Sequence, residues 1–115
     1  MIDPITFELI SKALDGLSLR QMYIAQNVAN TNSPGYQAVS VSFEDALAEA
    51  SANGLGAIKS AQPTISHLET TGATSEVRMD LELAKASQTA LRYGALIDVL
   101  SKQMAMSRSI ATGGR

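Results

Sequence analysis

Glu44, Asp45 and Glu49 form an acidic cluster in a stretch, Gln21 to Ile58, that contains no Lys or Arg. On a helix Asp45 and Glu49 share a face, and paired carboxylates on either side of a sugar bond are the equipment of a glycoside hydrolase. The simpler reading is a solvated helix start, where acidic side chains favour the positive end of the helix dipole. His67, the single histidine, has no second His and no carboxylate at metal-ligand spacing. Ser33 lacks the Gly-x-Ser-x-Gly elbow of a hydrolase, and the glycines form neither a P-loop nor a dinucleotide fingerprint. With Cys 0, disulfides, thiolate zinc sites and cysteine nucleophiles are excluded. These residues point to no enzyme, no metal, no cofactor and no small-molecule substrate.

The elements that would position them belong to one small domain of 115 residues. Hydrophobic residues make up 45% of the chain, yet there are only Tyr 3, Phe 2 and Trp 0, a composition suited to helix-on-helix packing. A net charge of -2 gives no electrostatic case for nucleic acid or anionic membrane. No apolar run reaches the roughly 18 residues of a membrane span, so direct membrane insertion is not expected. Asp3-Pro4 stands where a Sec signal would place basic residues, and taken alone that reads as cytoplasmic.

A first helix is expected over 4–30. Asp3 can cap it and Pro4 suits its first position. Phe7, Ile10, Leu14, Leu17, Ile24 and Val28 recur in alternating steps of three and four, with Gln21 the one polar member, which is a heptad seam. Glu8 and Lys12 can pair on its wet side. The helix must stop before Pro34, and Ser33-Pro34-Gly35-Tyr36 describes a type II turn with Gly35 at the positive-φ position. From 31 to 79 the pattern predicts this turn, an extended piece over Gln37 to Val41, a short helix capped by Ser42 and ending near Ala50, and then a loop or weakly ordered arm over 51–75. A second long helix is expected over 80–111, with Asp80 as its cap. Its seam is Met79, Leu83, Ala86, Ala90, Tyr93, Ile97, Leu100 and Met104, widened by Leu96, Val99, Met106 and Ile110.

The fold class is therefore mainly α: two long terminal helices in an elongated antiparallel hairpin or coiled coil, a short middle helix, and a flexible or partly extended central arm. Two helices cannot hide both apolar faces, so neighbouring chains are expected to supply the missing packing partners, with the free monomer partly disordered. Tyr93 and Met104 are most simply core residues; the Met side chain could also adapt to nonidentical neighbours.

Asn27-Val28-Ala29-Asn30-Thr31-Asn32-Ser33-Pro34-Gly35-Tyr36, at the end of an N-terminal helix, resembles the signature of flagellar rod, hook and hook-associated axial proteins. The pattern is an Ala-Asn pair, a further Asn, Ser or Thr, then Pro-Gly and an aromatic. It departs at Gln37, where Lys or Arg is common in the family. Met79-Asp80-Leu81-Glu82-Leu83-Ala84-Lys85 with Leu91-Arg92-Tyr93, and the absence of a large insertion between the helices, look most like a proximal rod protein of the B type, with the C type as the alternative. The resemblance implies a structural subunit of the flagellar basal body. It would leave the cell by the flagellar type III apparatus without a cleaved signal peptide, so the expected place is the periplasm near the inner membrane. Copies of itself, other rod proteins, the MS-ring and the export-gate end would be its partners. The terminal helices would assemble and transmit torque. A different class of function, a non-polymerising helical adaptor of type III export, shares the amphipathic helices but has no need of the Asn-rich turn.

Overall fold

A computed structural model describes residues 2–68 and 77–113. The elements, in chain order, are α1 (Pro4–Ala29), β1 (Val39–Ser42), α2 (Glu44–Ser51), α3 (Leu55–Ser60), β2 (Thr64–His67) and α4 (Met79–Gly113). The chain is mainly helical and elongated, with extents of 69 × 27 × 14 Å.

Helix α1 starts as its sequence dictates. Asp3 Oδ1 accepts from Ile5 N–H at 3.3 Å, and Asp3 Oδ2 accepts from the Thr6 hydroxyl at 3.2 Å, while Pro4 occupies a position that needs no donor. With 26 residues it is roughly 40 Å long and forms the hub against which β1, α2, α3 and α4 all pack. Helix α4 has 35 residues, roughly 50 Å, and runs antiparallel to α1: Asn27 meets Glu82, and Gln21 meets Ala86.

Against α1, and in contact with α4 at Leu96 and Arg92, lies a small layer of which the expected outline held only the extended piece and the first short helix. Strands β1 and β2 pair antiparallel, Val39 opposite His67 and Ser42 opposite Thr64, and the Leu68 N–H extends the ladder to Ala38 O at 2.8 Å. Helices α2 and α3 connect them. The core groups Leu17, Val41 and Phe43, with Ala13, Leu19, Tyr23, Leu47 and Leu96 packed around it. Ile58 on α3 is 0% exposed and anchors the far end of this layer to α1.

Four local expectations change. Residues 51–68 are not a loose arm but carry α3 and β2; the part of the expected arm at 69–75 lies outside the described residues. Six residues are too few for a helical period to register, and β2 is exposed throughout, so it shows no alternation. Ser42 ends β1 and does not cap α2; Phe43 holds that position, its N–H donating to Glu44 Oε2 at 3.3 Å. Asp80 sits inside the first turn of α4, bonded to Arg78 at 2.8 Å, because the helix already begins at Met79. Lys12 reaches across to Ala61 O at 3.2 Å, since α3 brings that carbonyl beside α1, and so is engaged away from Glu8.

Candidate functional site

The Asn-rich motif closes on itself. Asn30 Nδ2 returns to Gln26 O at 2.8 Å, the Thr31 hydroxyl to Val28 O at 2.7 Å, and the Ser33 hydroxyl to Asn30 Oδ1 at 3.0 Å, so carbonyls freed at the end of α1 find donors in the next few residues. Tyr36 N–H donates to Ser33 O at 3.2 Å across Pro34-Gly35, and Gly35 has φ 73, the left-handed position of a type II turn. Ala29, Asn32, Ser33, Pro34 and Gly35 are exposed along this turn.

The turn returns the chain to Asn27, which is 1% exposed. Asn27 Oδ1 accepts from the Tyr36 hydroxyl at 2.7 Å and from Val39 N–H at 2.9 Å, while its Nδ2 donates to Val39 O at 2.9 Å and to Glu82 Oε2 at 3.0 Å. A side-chain amide thus stands in for a neighbouring strand at Val39 and ties α1, the turn, β1 and α4 together. Glu82 is buried, with Lys85 Nζ 3.3 Å from its other oxygen. Burial, and secondarily the Glu82 charge, push the Tyr36 hydroxyl above its ordinary pKa, which keeps it a donor.

A second joint lies about three turns earlier. Gly16 leaves the space in which the Phe43 ring rests; a Cβ there would stand 2.5 Å from the ring. One turn on, Arg20 covers the same ring with its guanidinium 4.8 Å from the centroid, donates to Val41 O at 2.7 Å, and forks onto the Glu44 carboxylate. Arg92 adds a longer contact to Glu44 at 3.6 Å. The Arg20 hydrogen bonds hold the Glu44 carboxyl down to about 2. A glycosidase proton donor needs the opposite shift, and Asp45 and Glu49 face open solvent. His67 is exposed on β2, and among the described residues no group of three His, Cys, Asp or Glu could hold a metal ion.

The expected seams divide between inside and outside. On α1, Ile10, Leu17 and Ile24 are buried within the chain, Leu14 and Val28 are half-buried, and Phe7 is exposed. On α4 the inward row is Glu82, Ala86, Thr89, Leu96, Leu100, Gln103 and Ser107, in heptad register but largely polar. The expected row lies one residue further round. Ala86 and Leu100 are half-buried, whereas Leu83 is 54% exposed, Ile97 41% and Met104 44%, with Ala90 and Tyr93 also open. Leu91, Val99, Met106 and Ile110 are exposed as well, on other sides of the helix. Beside it a groove runs between Ala25, Val28 and Ala29 on α1 and Leu83 and Ala86 on α4. Gln21 lines this groove; its Nε2 donates to Ala86 O at 3.0 Å, but its buried Oε1 has no partner among the described residues.

Arg20 and Gly16 escaped the sequence reading, and Glu82 entered it only as part of the motif that opens α4. A glycine in the middle of a strong helical pattern is the one signal that could have flagged a close approach; Arg20 and Glu82 stand alone in sequence and acquire meaning only from tertiary partners.

No protein-family model matches the chain. It is 27% identical over 124 residues to the protein named flagellar basal body rod protein FlgB of Bacillus subtilis (strain 168), an alignment covering 96% of this chain and 95% of that relative. The similarity to this rod protein runs along nearly the whole of both chains, and it stands beside the resemblance carried by Asn27 to Tyr36.

Proposed function

We propose that the chain is a non-enzymatic structural subunit of the proximal flagellar rod, built into the drive shaft by packing its terminal helices against copies of itself and other rod proteins. The observation that carries this reading is the apolar row of α4, where Leu83, Ile97 and Met104 stand uncovered at heptad spacing. Contiguous exposed apolar side chains at helical spacing mark a surface that is completed by another molecule. Full-length similarity to a FlgB supports the B-type assignment over the C-type.

In that role the Asn27 node and the Gly16–Phe43 joint keep the subunit stiff, so that torque passes through hydrogen-bonded and close-packed joints. The subunit would sit in the periplasm near the inner membrane, between the MS-ring and export-gate end and the rod proteins above, having left the cell by type III export without a cleaved signal. Among the described residues no helix is long and apolar enough to cross a membrane. Mixing the purified chain with the other rod components and imaging by electron microscopy tests the reading. Rods containing the chain are expected; discrete complexes of fixed stoichiometry with an exported partner would instead indicate a secretion adaptor.

A further inference from the structure

We infer that Asn53 is a site of spontaneous covalent modification, through cyclisation onto Gly54 and loss of ammonia, and that it ages far ahead of every other asparagine in the chain. Asparagine occurs at 27, 30, 32 and 53 only. Their right-hand neighbours are Val28, Thr31, Ser33 and Gly54. Attack by a backbone nitrogen on the preceding side-chain amide is hindered by any Cβ on the attacking residue, and glycine alone has none.

The local structure favours the same residue. Asn53 is exposed in the turn between α2 and α3, whereas Asn27 is buried and all of its amide atoms are engaged. The Gly54 N–H donates to no group among the described residues, and open space surrounds its Cα. The backbone is held by Asn53 N–H donating to Ala50 O at 3.0 Å and by Gly54 O accepting from Ile58 N–H at 3.2 Å, and the reacting amide by a hydrogen bond from Asn53 Nδ2 to Glu49 O at 3.0 Å, on an exposed surface where water competes for both partners.

In the reaction the Gly54 nitrogen, losing its proton to solvent, forms a bond to Asn53 Cγ. The Cγ–Nδ2 bond breaks, and the amide nitrogen leaves as ammonia with a proton taken from solvent. Water then opens the five-membered imide at either carbonyl. One opening gives aspartate; the other gives isoaspartate, with the main chain routed through the former side chain. Either product replaces the donor to Glu49 O with a carboxylate near the C-terminus of α2, the negative end of the helix dipole, where negative charge is unfavourable. Isoaspartate also lengthens the main chain between α2 and α3, whose Ile58 is locked into the core. The modification is therefore aimed at the joint that holds the small layer to α1.

The test is direct because all four asparagines fall on one tryptic peptide, Gln21 to Lys59. The intact folded chain is incubated at mildly alkaline pH and physiological temperature, digested at intervals, and fragmented in a mass spectrometer. Expected is a gain of about 1 Da localised to residue 53, with isoaspartate among the products, accumulating on the order of tenfold faster than at Asn30 or Asn32 and undetectable at Asn27. Asn53→Gln should abolish the early gain. A peptide that stays unmodified at residue 53, or is modified no faster there than at Asn30 and Asn32, overturns the proposal.

Discussion

Helices α1 and α4 carry heptad patterns of similar strength, and the chain uses them in opposite ways. On α1 the large residues of the seam, Ile10, Leu17 and Ile24, are buried against the chain's own strand layer and partner helix. On α4 the inward positions include Glu82, Thr89, Gln103 and Ser107, while Leu83, Ile97 and Met104 point out. A helix that turns its polar row inward and its larger apolar row outward has not finished packing inside its own chain. Burying each exposed Leu, Ile or Met side chain is worth about 1.5–3 kcal/mol. On the proposed function the contrast sets a folding helix against an assembly helix, and substitutions on each side should behave differently.

The largest loss is expected at the centre of the folding side. Asn27→Ala leaves Val39 N–H and C=O and one Glu82 oxygen short of a partner in a buried place, and should lower unfolding free energy by about 3 kcal/mol or more. Urea denaturation followed by circular dichroism measures it. Gly16→Ala comes next. The added methyl meets the Phe43 ring, and the overpacking, about 1–3 kcal/mol, should exceed the helix-propensity gain of up to about 1 kcal/mol. A variant as stable as the parent would show that the ring can move aside.

Glu44→Gln should have a smaller effect, below about 1 kcal/mol at neutral pH, because the carboxylate is partly solvated. Its pH dependence has a definite sign. The folded-state value lies near 2, below the ordinary 4.5, so the stabilisation is complete above 4.5 and is lost as pH falls through about 2. Wild type and variant should therefore differ in melting temperature at neutral pH and converge in strong acid. Smallest of all, on the assembly side, Ile97→Asp should change the stability of the isolated chain by no more than about 0.5 kcal/mol, since the side chain already faces water. Leu17→Asp, by contrast, places a charge in the core and would unfold the chain, so it cannot distinguish assembly from folding.

Much of this frame was legible beforehand. Both long helices follow from seams, caps and the Pro-Gly stop, and the type II turn follows from Pro34-Gly35. The middle was opaque for a physical reason: α3 is short and held by contacts to α1, while β2 is exposed on every residue and held by its pairing with β1, and no local pattern encodes either. Within the candidate site the motif residues could be named, but not the part Asn27 plays, because its partners Val39 and Glu82 are distant in sequence. The α4 seam was read with the right period and shares Ala86 and Leu100 with the row that faces α1, but its Leu83, Ala90, Ile97 and Met104 each stand one residue past an inward position. Hydrophobicity marks the stickiest row, and in a chain made to be covered by others that row need not be the one facing its own partner.

The central claim is that the uncovered row of α4 serves assembly and not folding. The most direct measurement is the double substitution Ile97→Asp with Met104→Asp, made in the full chain, with thermal melting of the purified protein alongside electron microscopy of basal bodies from cells carrying it. The account predicts a melt close to that of the parent together with basal bodies that lack a completed rod. Intact rods containing the doubly substituted chain would contradict it.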